Sequence, residues 1–219
     1  MLPKGSFATL ANGFQFHYHD GGQGDVVLFL HGSGTGASGF TNFKKNIDFF
    51  QRNGFRTIVP DLPGYGFSDK PEDEIYTMSF FNNLLLELLD HLNIANCSVV
   101  GNSLGGALAM GLSLEQPKRF SKLILMAPGG LEDFNAYQEM PGIKKLLGDF
   151  LGGEMNQEKI EGLLKLFPYD PSFVTKDIIE DRMEILPLMN QQVLASMDIP
   201  NLSEKLKNNQ TPVLAFWGS

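Results

Sequence analysis

Short apolar runs alternate with longer amphipathic stretches along the first part of the chain. Residues 26–30 and 123–126 are unbroken apolar runs, which is typical of strands buried on both faces of a sheet. Between such runs, residues 78–92 repeat apolar side chains at helical spacing, and residues 40–50 and 104–115 are also predicted helices. Strands that alternate with helices predict right-handed crossovers and a mostly parallel sheet.

The first strands follow a different pattern. Residues 6–10 and 14–19 form two short segments joined at Ala11-Asn12-Gly13, and Asn-Gly between such segments is a strong hairpin signal. Residues 56–59 and 97–100 complete the predicted strands of this part of the chain. We therefore predict an antiparallel N-terminal hairpin followed by parallel strands.

From Leu131 the pattern becomes helical, broken by prolines and glycines. We predict a core domain over residues 1–130 and a helical cap over residues 131–206, lying above the carboxyl ends of the strands. Residues 207–219 return to the core with one strand at 212–217, whose Trp217 is expected to be buried. A sheet strand followed by Gly-Ser predicts that the last strands and helices of the core are missing and that the chain is truncated at its C-terminus.

The composition of the chain limits the classes of partner that we expect. The formal charge is −8, from 17 basic and 25 acidic residues without a basic run, so nucleic acid is not an expected partner. No apolar run approaches the ~18 residues of a membrane span, and the N-terminus lacks the apolar region of a secretory signal. The single cysteine, Cys97, suits a reducing cytoplasm. We expect a cytoplasmic protein that binds a small molecule.

The chemistry centres on Gly101-Asn102-Ser103-Leu104-Gly105, which stands between an apolar strand and a predicted helix. A G-x-S-x-G sequence in that context predicts a nucleophile elbow, in which a strained turn presents the serine at the N-terminus of the helix. Free N–H groups and the helix dipole there favour developing negative charge. The alternative is an ordinary tight turn.

A second sequence element supports the elbow. His31-Gly32-Ser33-Gly34 follows the strand at 26–30, where the other half of an oxyanion hole would lie. The backbone N–H groups of Ser33 and Leu104 are predicted to hold the oxyanion together.

Two other classes of protein stay open. Gly34-Thr35-Gly36-Ala37-Ser38-Gly39 is a literal G-x-G-x-x-G, and Asp61 ends the next strand where a ribose-binding acid would lie. A dinucleotide-binding protein is therefore an alternative, although that fingerprint usually follows the first strand of its fold. A non-catalytic relative of a hydrolase, used for binding, is the other alternative.

Four stretches resemble one known family. They are residues 31–43, 61–70, 101–106 and 125–131. On these residues the chain looks like the meta-cleavage product hydrolases, a branch of the α/β-hydrolase superfamily that cuts a C–C bond in ring-opened products of aromatic catabolism. The elbow is common to all α/β-hydrolases, whereas Asn42, Asn102 and Arg182 together make the resemblance specific.

The resemblance implies roles for these residues. Ser103 would be the triad serine, Asn42 and Asn102 would line the polar end of the pocket, and Arg182 would reach down from the cap. An arginine fork suits a substrate carboxylate and enolate oxygen. The substrates would be 2-hydroxy-6-oxo-hexa-2,4-dienoates, and no metal or organic cofactor is implied. An esterase of other specificity is the alternative, and since relatives usually associate, a homo-oligomer is an open alternative to a monomer.

The resemblance also exposes a gap, because the triad acid and histidine are expected beyond Ser219 and are absent from this chain. His17 and His19 share one strand face but lack further metal ligands. Glu132 and Asp133 follow the strand at 123–126, where some α/β-hydrolases place the acid. Without a general base, Ser103 would be a poor nucleophile, so the chain as given is expected to be inactive.

Overall fold

The computed structural model describes residues 2–140, 142–144 and 155–218, and these residues form one seven-stranded sheet with helices on both faces. The strands are β1 (Ser6–Thr9), β2 (Gln15–Gly21), β3 (Asp25–Leu30), β4 (Phe55–Pro60), β5 (Cys97–Asn102), β6 (Phe120–Met126) and β7 (Val213–Phe216). The helices are α1 (Gly39–Arg52), α2 (Met78–His91), α3 (Leu104–Glu115), α4 (Phe134–Glu139), α5 (Gln157–Leu164), α6 (Lys176–Ile185), α7 (Gln191–Ser196) and α8 (Ser203–Leu206). Two short 3-10 helices span Pro171–Phe173 and Leu186–Leu188.

The sheet order is β1-β2-β4-β3-β5-β6-β7. Strand β1 pairs antiparallel with β2, and β2 pairs antiparallel with β4, whereas all other neighbours are parallel. The predicted mostly parallel sheet with an antiparallel N-terminal hairpin is confirmed. The hairpin turn uses Gly13 at φ 87°, and the Leu10 N–H donates to Phe14 O across it at 2.9 Å.

The core lies in two layers, one on each face of the sheet. On one face the apolar stripe of α2 packs with α3, whose whole surface apart from its last residues is buried. Leu85 and Leu88 of that stripe are fully buried, and each such burial contributes about 2 kcal/mol. On the other face, Phe43 and Ile47 of α1 pack on β3 and β4. Both faces of the sheet are thus covered by helices.

The predicted cap contains several short helices in its described part, while residues 141 and 145–154 lie outside the described residues. Helices α5 and α6 bury Ile160, Leu163, Ile179 and Ile185. The chain then returns to the core at Asp198, whose carbonyl accepts a hydrogen bond from Met78 N at 3.1 Å. The domain boundaries at residues 130 and 206 stay predictions.

The prediction that Trp217 is buried is wrong. Its side chain is 59% exposed, and Val213, Leu214 and Phe216 of β7 are also more than half exposed. The reason is topological, because β7 is the last strand of the sheet and, within the described residues, pairs with β6 alone. Among those residues, no helix is both long enough and apolar enough to cross a bilayer.

Candidate active site

Strand β5 ends at Asn102 and helix α3 begins at Leu104, so Ser103 alone makes the turn between them. Its φ of 52° and ψ of −113° place a non-glycine residue in a backbone conformation that L-residues rarely adopt. Ser103 N donates to Met126 O at 3.0 Å, and Ser103 O accepts from Gly129 N at 3.0 Å. These bonds to the neighbouring strand and its loop hold the strained turn in place.

Gly105 allows the turn to close. A Cβ at this position would lie 2.0 Å from Leu30 O, at the end of the adjacent strand β3. The Gly105 N–H donates to His31 O at 3.1 Å. The first turn of α3 is therefore in direct backbone contact with the loop that follows β3, and no side chain fits between them.

The loop after β3 is fixed by the ring of His31. Leu62 N donates to His31 Nε2 at 2.9 Å, so Nδ1 carries the proton and donates to Gly32 O at 2.8 Å. Burial lowers the pKa of His31 to about 4. His31 is therefore a neutral, buried link between two loops, and both of its ring nitrogens are occupied.

This loop lies against the elbow. A Cβ built on Gly32 would lie 3.2 Å from Ser103 Cβ and 2.9 Å from Asn102 Oδ1. Within the described residues, the N–H groups of Ser33 and Leu104 have no hydrogen-bond acceptor. Two unpaired donors beside a serine are what an oxyanion hole requires.

The three side chains predicted to bind substrate form one row. Arg182 Nη2 donates to Asn42 Oδ1 at 2.8 Å, and Asn42 Nδ2 donates to Asn102 Oδ1 at 3.3 Å. Asn102 Nδ2 in turn donates to Met126 O at 3.2 Å. Residues from α6, α1 and β5 thus meet in a hydrogen-bonded chain that ends directly beside Ser103.

Arg182 forms the other end of this row and, among the described residues, has no anionic partner within hydrogen-bonding distance. Arg182 Nη1 donates to Thr35 O at 3.3 Å, but the buried Nε finds no acceptor among the described residues. Burial lowers the pKa of Arg182 to about 10, although Asp181 opposes the shift, so the guanidinium is charged at neutral pH. A buried cation with a spare donor is a binding site for an anion.

The structure contradicts the dinucleotide alternative at Asp61. This carboxylate is fully buried, and it accepts hydrogen bonds from Gly39 N at 2.8 Å, Phe67 N at 2.9 Å and His17 Nδ1 at 2.8 Å. Burial alone would raise the pKa of Asp61, but the hydrogen bond from His17, the Phe67 N–H and the electrostatic interactions with His17 and His31 together outweigh burial and lower the pKa. Asp61 ties the loop after β4 to the start of α1, so it is not available to a ribose.

The same contact accounts for the neighbouring histidines His17 and His19, which the sequence does not favour as a metal site. His17 is bound to Asp61, and the His19 ring packs against it with the ring centroids 5.1 Å apart. In the part of the chain that the structure describes, no three histidine, cysteine or acidic side chains are grouped as a metal site would need.

None of the chain's four histidines hydrogen-bonds to Ser103 within the described residues. His17 and His31 are engaged elsewhere, and His91 is exposed at the end of α2. Asp133, the candidate acid after β6, is exposed and accepts from Asn201 Nδ2 at 3.2 Å. The described residues thus bring together Ser103, the two unpaired amides and the polar row, but no base for Ser103.

Sequence reasoning missed one contact beside this row. Lys44 of α1 bridges Asp177 and Asp181 of α6, immediately before Arg182. The sequence of α6 does show two acids one helical turn apart, followed by an arginine. Nothing in the sequence indicates that Lys44 is the partner of these two acids.

Comparison with known proteins agrees with this geometry. The family described as the alpha/beta hydrolase fold matches residues 25–158. The chain belongs to the α/β-hydrolase family. This hydrolase is 34% identical over 215 residues to a 2-hydroxy-6-oxo-6-phenylhexa-2,4-dienoate hydrolase of Burkholderia cepacia, covering 94% of this chain and 74% of that protein.

A second relative of this hydrolase is a 2-hydroxy-6-oxononadienedioate/2-hydroxy-6-oxononatrienedioate hydrolase of Cupriavidus pinatubonensis, 37% identical over 227 residues, with 97% of this chain and 77% of that protein covered. Among solved structures, the meta-cleavage product hydrolase of Pseudomonas fluorescens IP01 is similar with a TM-score of 0.83 at 28% identity, over 98% of this chain and 79% of that one. An epoxide hydrolase also superposes, with a TM-score of 0.76 over 99% of this chain and 82% of that one, but at 21% identity it shares the fold alone.

Proposed function

We propose that this hydrolase cleaves the C–C bond of a 2-hydroxy-6-oxo-hexa-2,4-dienoate, with Ser103 as nucleophile. The observation that carries the proposal is the row from Arg182 through Asn42 to Asn102, which ends beside the elbow. A cation at one end and a serine at the other match a substrate with a carboxylate at one end and a carbonyl at the other. The similarity to hydrolases of such dienoates supports the same reading.

In the proposed complex, Arg182 pairs with the substrate carboxylate and the C2 oxygen through its fork of donors. Asn42 and Asn102 support the guanidinium and bond to the same polar end. The chain of the dienoate then extends along the row, so that its C6 carbonyl reaches Ser103 and its carbonyl oxygen faces the amides of Ser33 and Leu104.

The reaction begins with ketonisation, in which the C2 hydroxyl loses a proton and C5 gains one. Ser103 Oγ attacks the C6 carbonyl and gives its proton to the general base, which produces a tetrahedral oxyanion that the two amides stabilise, each amide contributing on the order of 3 kcal/mol to the transition state. The C5–C6 bond then breaks and its electron pair moves into the C2 carbonyl, which regains a proton and leaves the C6 acyl group as an ester on Ser103. Water hydrolyses this ester, so that overall one water is added and the products are a 2-hydroxypentadienoate and a carboxylic acid.

Ser103 needs a general base, and we propose that it lies outside residues 1–219. The proposal rests on the four histidines of the chain, two of which are held by other partners and none of which hydrogen-bonds to Ser103 within the described residues. We expect a triad acid in a G-x-x-D sequence shortly after Trp217 and a histidine further on. The chain covers 74% of the first relative's length, which leaves room for such residues in that protein.

The test compares a ring-opened dienoate with a simple aryl ester, using the protein as its gene encodes it. Ser103→Ala is expected to bind the dienoate but to lose its bleaching, because binding uses the polar row and cleavage uses the hydroxyl. Arg182→Gln is expected to lower kcat/KM for the dienoate at least 100-fold and to spare the ester, which has no carboxylate. Arg52→Gln, at an exposed position on α1, is the matched control.

Two results would contradict the proposal. Unchanged dienoate turnover in Ser103→Ala would remove the nucleophile from the reaction. Turnover of the ester without any binding of the dienoate would make the protein an esterase of another specificity.

A further inference from the structure

A single lysine of the core bridges two carboxylates of the cap. Lys44 Nζ on α1 lies 2.6 Å from Asp177 Oδ2 and 2.5 Å from Asp181 Oδ2, both on α6. The two acids are one helical turn apart and so lie on the same face of α6. One ammonium held between them restrains both the rotation of α6 and its position along its own axis.

This contact lies next to the substrate-binding row. Lys44 lies two residues after Asn42 on α1, and Asp181 immediately precedes Arg182 on α6. The same two helices therefore meet twice, once through the pair of Arg182 and Asn42 and once through the lysine bridge. A shift of α6 large enough to break the bridge would also move the guanidinium away from Asn42.

The bridge is partly shielded from water. The side chains of Lys44 and Asp181 are only 16% and 15% exposed, whereas Asp177 is 61% exposed. Burial alone would lower the pKa of Lys44, but its hydrogen bonds to Asp177 and Asp181 outweigh this and raise the pKa. A pair in such a place is less screened than an exposed surface pair, so it can hold two elements in register.

A backbone contact also supports the packing of α6 against the core. A Cβ at Gly36, whose φ is 64°, would lie 2.4 Å from Arg182 O. The Gly36 N–H also donates to Met189 Sδ at 3.2 Å. The loop before α1 therefore packs closely against the end of α6 and the segment after it. A movement of α6 along its axis would break this contact.

We propose that Lys44 is a positioning residue, which holds α6 on α1 so that Arg182 stays beside Asn42 and ready for an anionic substrate. The inference rests on the proposed function for its effect on substrate, but not for its effect on α6. Lys44 does not touch the reacting atoms. Its expected contribution is to substrate affinity through Arg182.

The experiment compares Lys44→Met with Lys44→Arg and Lys45→Met, each in the Ser103→Ala protein. Arginine can still bridge two carboxylates, and Lys45 is an exposed neighbour on the same helix with no ion pair among the described residues. The first measurement is amide hydrogen exchange in α6, with α2 and α3 as internal references. The second is the Kd of a ring-opened dienoate.

Lys44→Met is expected to speed exchange in α6 at least tenfold without changing α2 or α3, and to raise the Kd about tenfold, which corresponds to about 1.4 kcal/mol. Lys44→Arg should stay within threefold of the parent in both measurements, and Lys45→Met should match the parent.

Unchanged exchange in α6, or equal acceleration in α2 and α3, would overturn the positioning role. So would faster exchange in α6 with an unchanged Kd, since α6 would then be free while Arg182 still bound substrate normally. If the parent itself fails to bind the dienoate, the proposed function fails, whereas the exchange data still decide whether Lys44 holds α6.

Discussion

As the proposed nucleophile, Ser103 has to meet two conflicting requirements. A nucleophile must have a side chain, yet φ of 52° favours a residue without one, and such a conformation costs on the order of 1–3 kcal/mol. The hydrogen bond that Ser103 N donates to Met126 O and the one that Ser103 O accepts from Gly129 N compensate for this strain by fixing the backbone on both sides. The strained turn exposes the hydroxyl at the start of α3, where the amide of Leu104 is unpaired within the described residues.

His31 leads to a prediction about pH. Its folded pKa of about 4 lies below the ordinary value of 6.5, so between these two values the unfolded chain binds a proton that the folded protein does not. Stability should therefore fall as the pH is lowered through 6.5, with a loss from this group of about 2 kcal/mol at pH 5.

The measurement is urea unfolding at pH 7 and pH 5 for the parent and for His31→Gln. Glutamine keeps one donor and one acceptor for Gly32 and Leu62 but does not titrate. The variant is expected to lose less stability between the two pH values, by about 2 kcal/mol. Equal losses in the two proteins would show that His31 is not held neutral.

At the scale of elements, the elbow depends on how closely α3 approaches the end of β3. Leu30 O and His31 O both face Gly105, one as a close contact and one as a hydrogen-bond acceptor. Because both neighbours are backbone, neither can move as a side chain would. The geometry of Ser103 is therefore set by the packing of a whole helix on the sheet.

Gly105→Ala tests this packing. The new Cβ would lie 2.0 Å from Leu30 O, so α3 must shift, and we expect a loss of at least 3 kcal/mol, on the order of a severe core substitution. Gly162→Ala in the exposed part of α5, where a Cβ meets nothing within 4 Å, is the matched control and should gain up to about 1 kcal/mol. Thermal unfolding followed by circular dichroism measures both, and equal effects would contradict the close approach.

At the scale of the whole molecule, the two ends of the sheet differ. At one end the edge strand β1 exposes one large apolar side chain, Phe7. At the other end Val213, Leu214 and Phe216 of β7 and the following Trp217 are all exposed. An unpaired edge with apolar side chains favours pairing with another chain.

We therefore predict that the chain of residues 1–219 associates as its concentration rises and that Leu214→Lys weakens this association. Sedimentation velocity measures the association. Trp217 is the chain's only tryptophan, so quenching by acrylamide reports directly on β7 and should decrease on association. A monomer at all concentrations with a strongly protected Trp217 would contradict the exposed strand.

The alternation of strands and helices, the hairpin and the position of the elbow can all be predicted from the amino-acid sequence. These features are local, since burial on one or two faces sets the spacing of apolar residues and a sharp turn demands glycine at fixed positions. Leu104–Glu115 is the same in prediction and structure because an apolar run with a strained turn before it and a proline after it leaves no other boundary.

Which distant side chains contact each other depends on the tertiary structure. Arg182 lies 140 residues from Asn42, and Lys44 lies 133 residues from Asp177, so no spacing along the chain could pair them. The role of Asp61 also depends on the tertiary structure. Its position in the sequence suits a ribose-binding acid, but in the folded protein it is buried against His17. Strand Val213–Phe216 is apolar in sequence but mostly exposed in the structure. An apolar composition predicts burial only when another element is present to cover the strand.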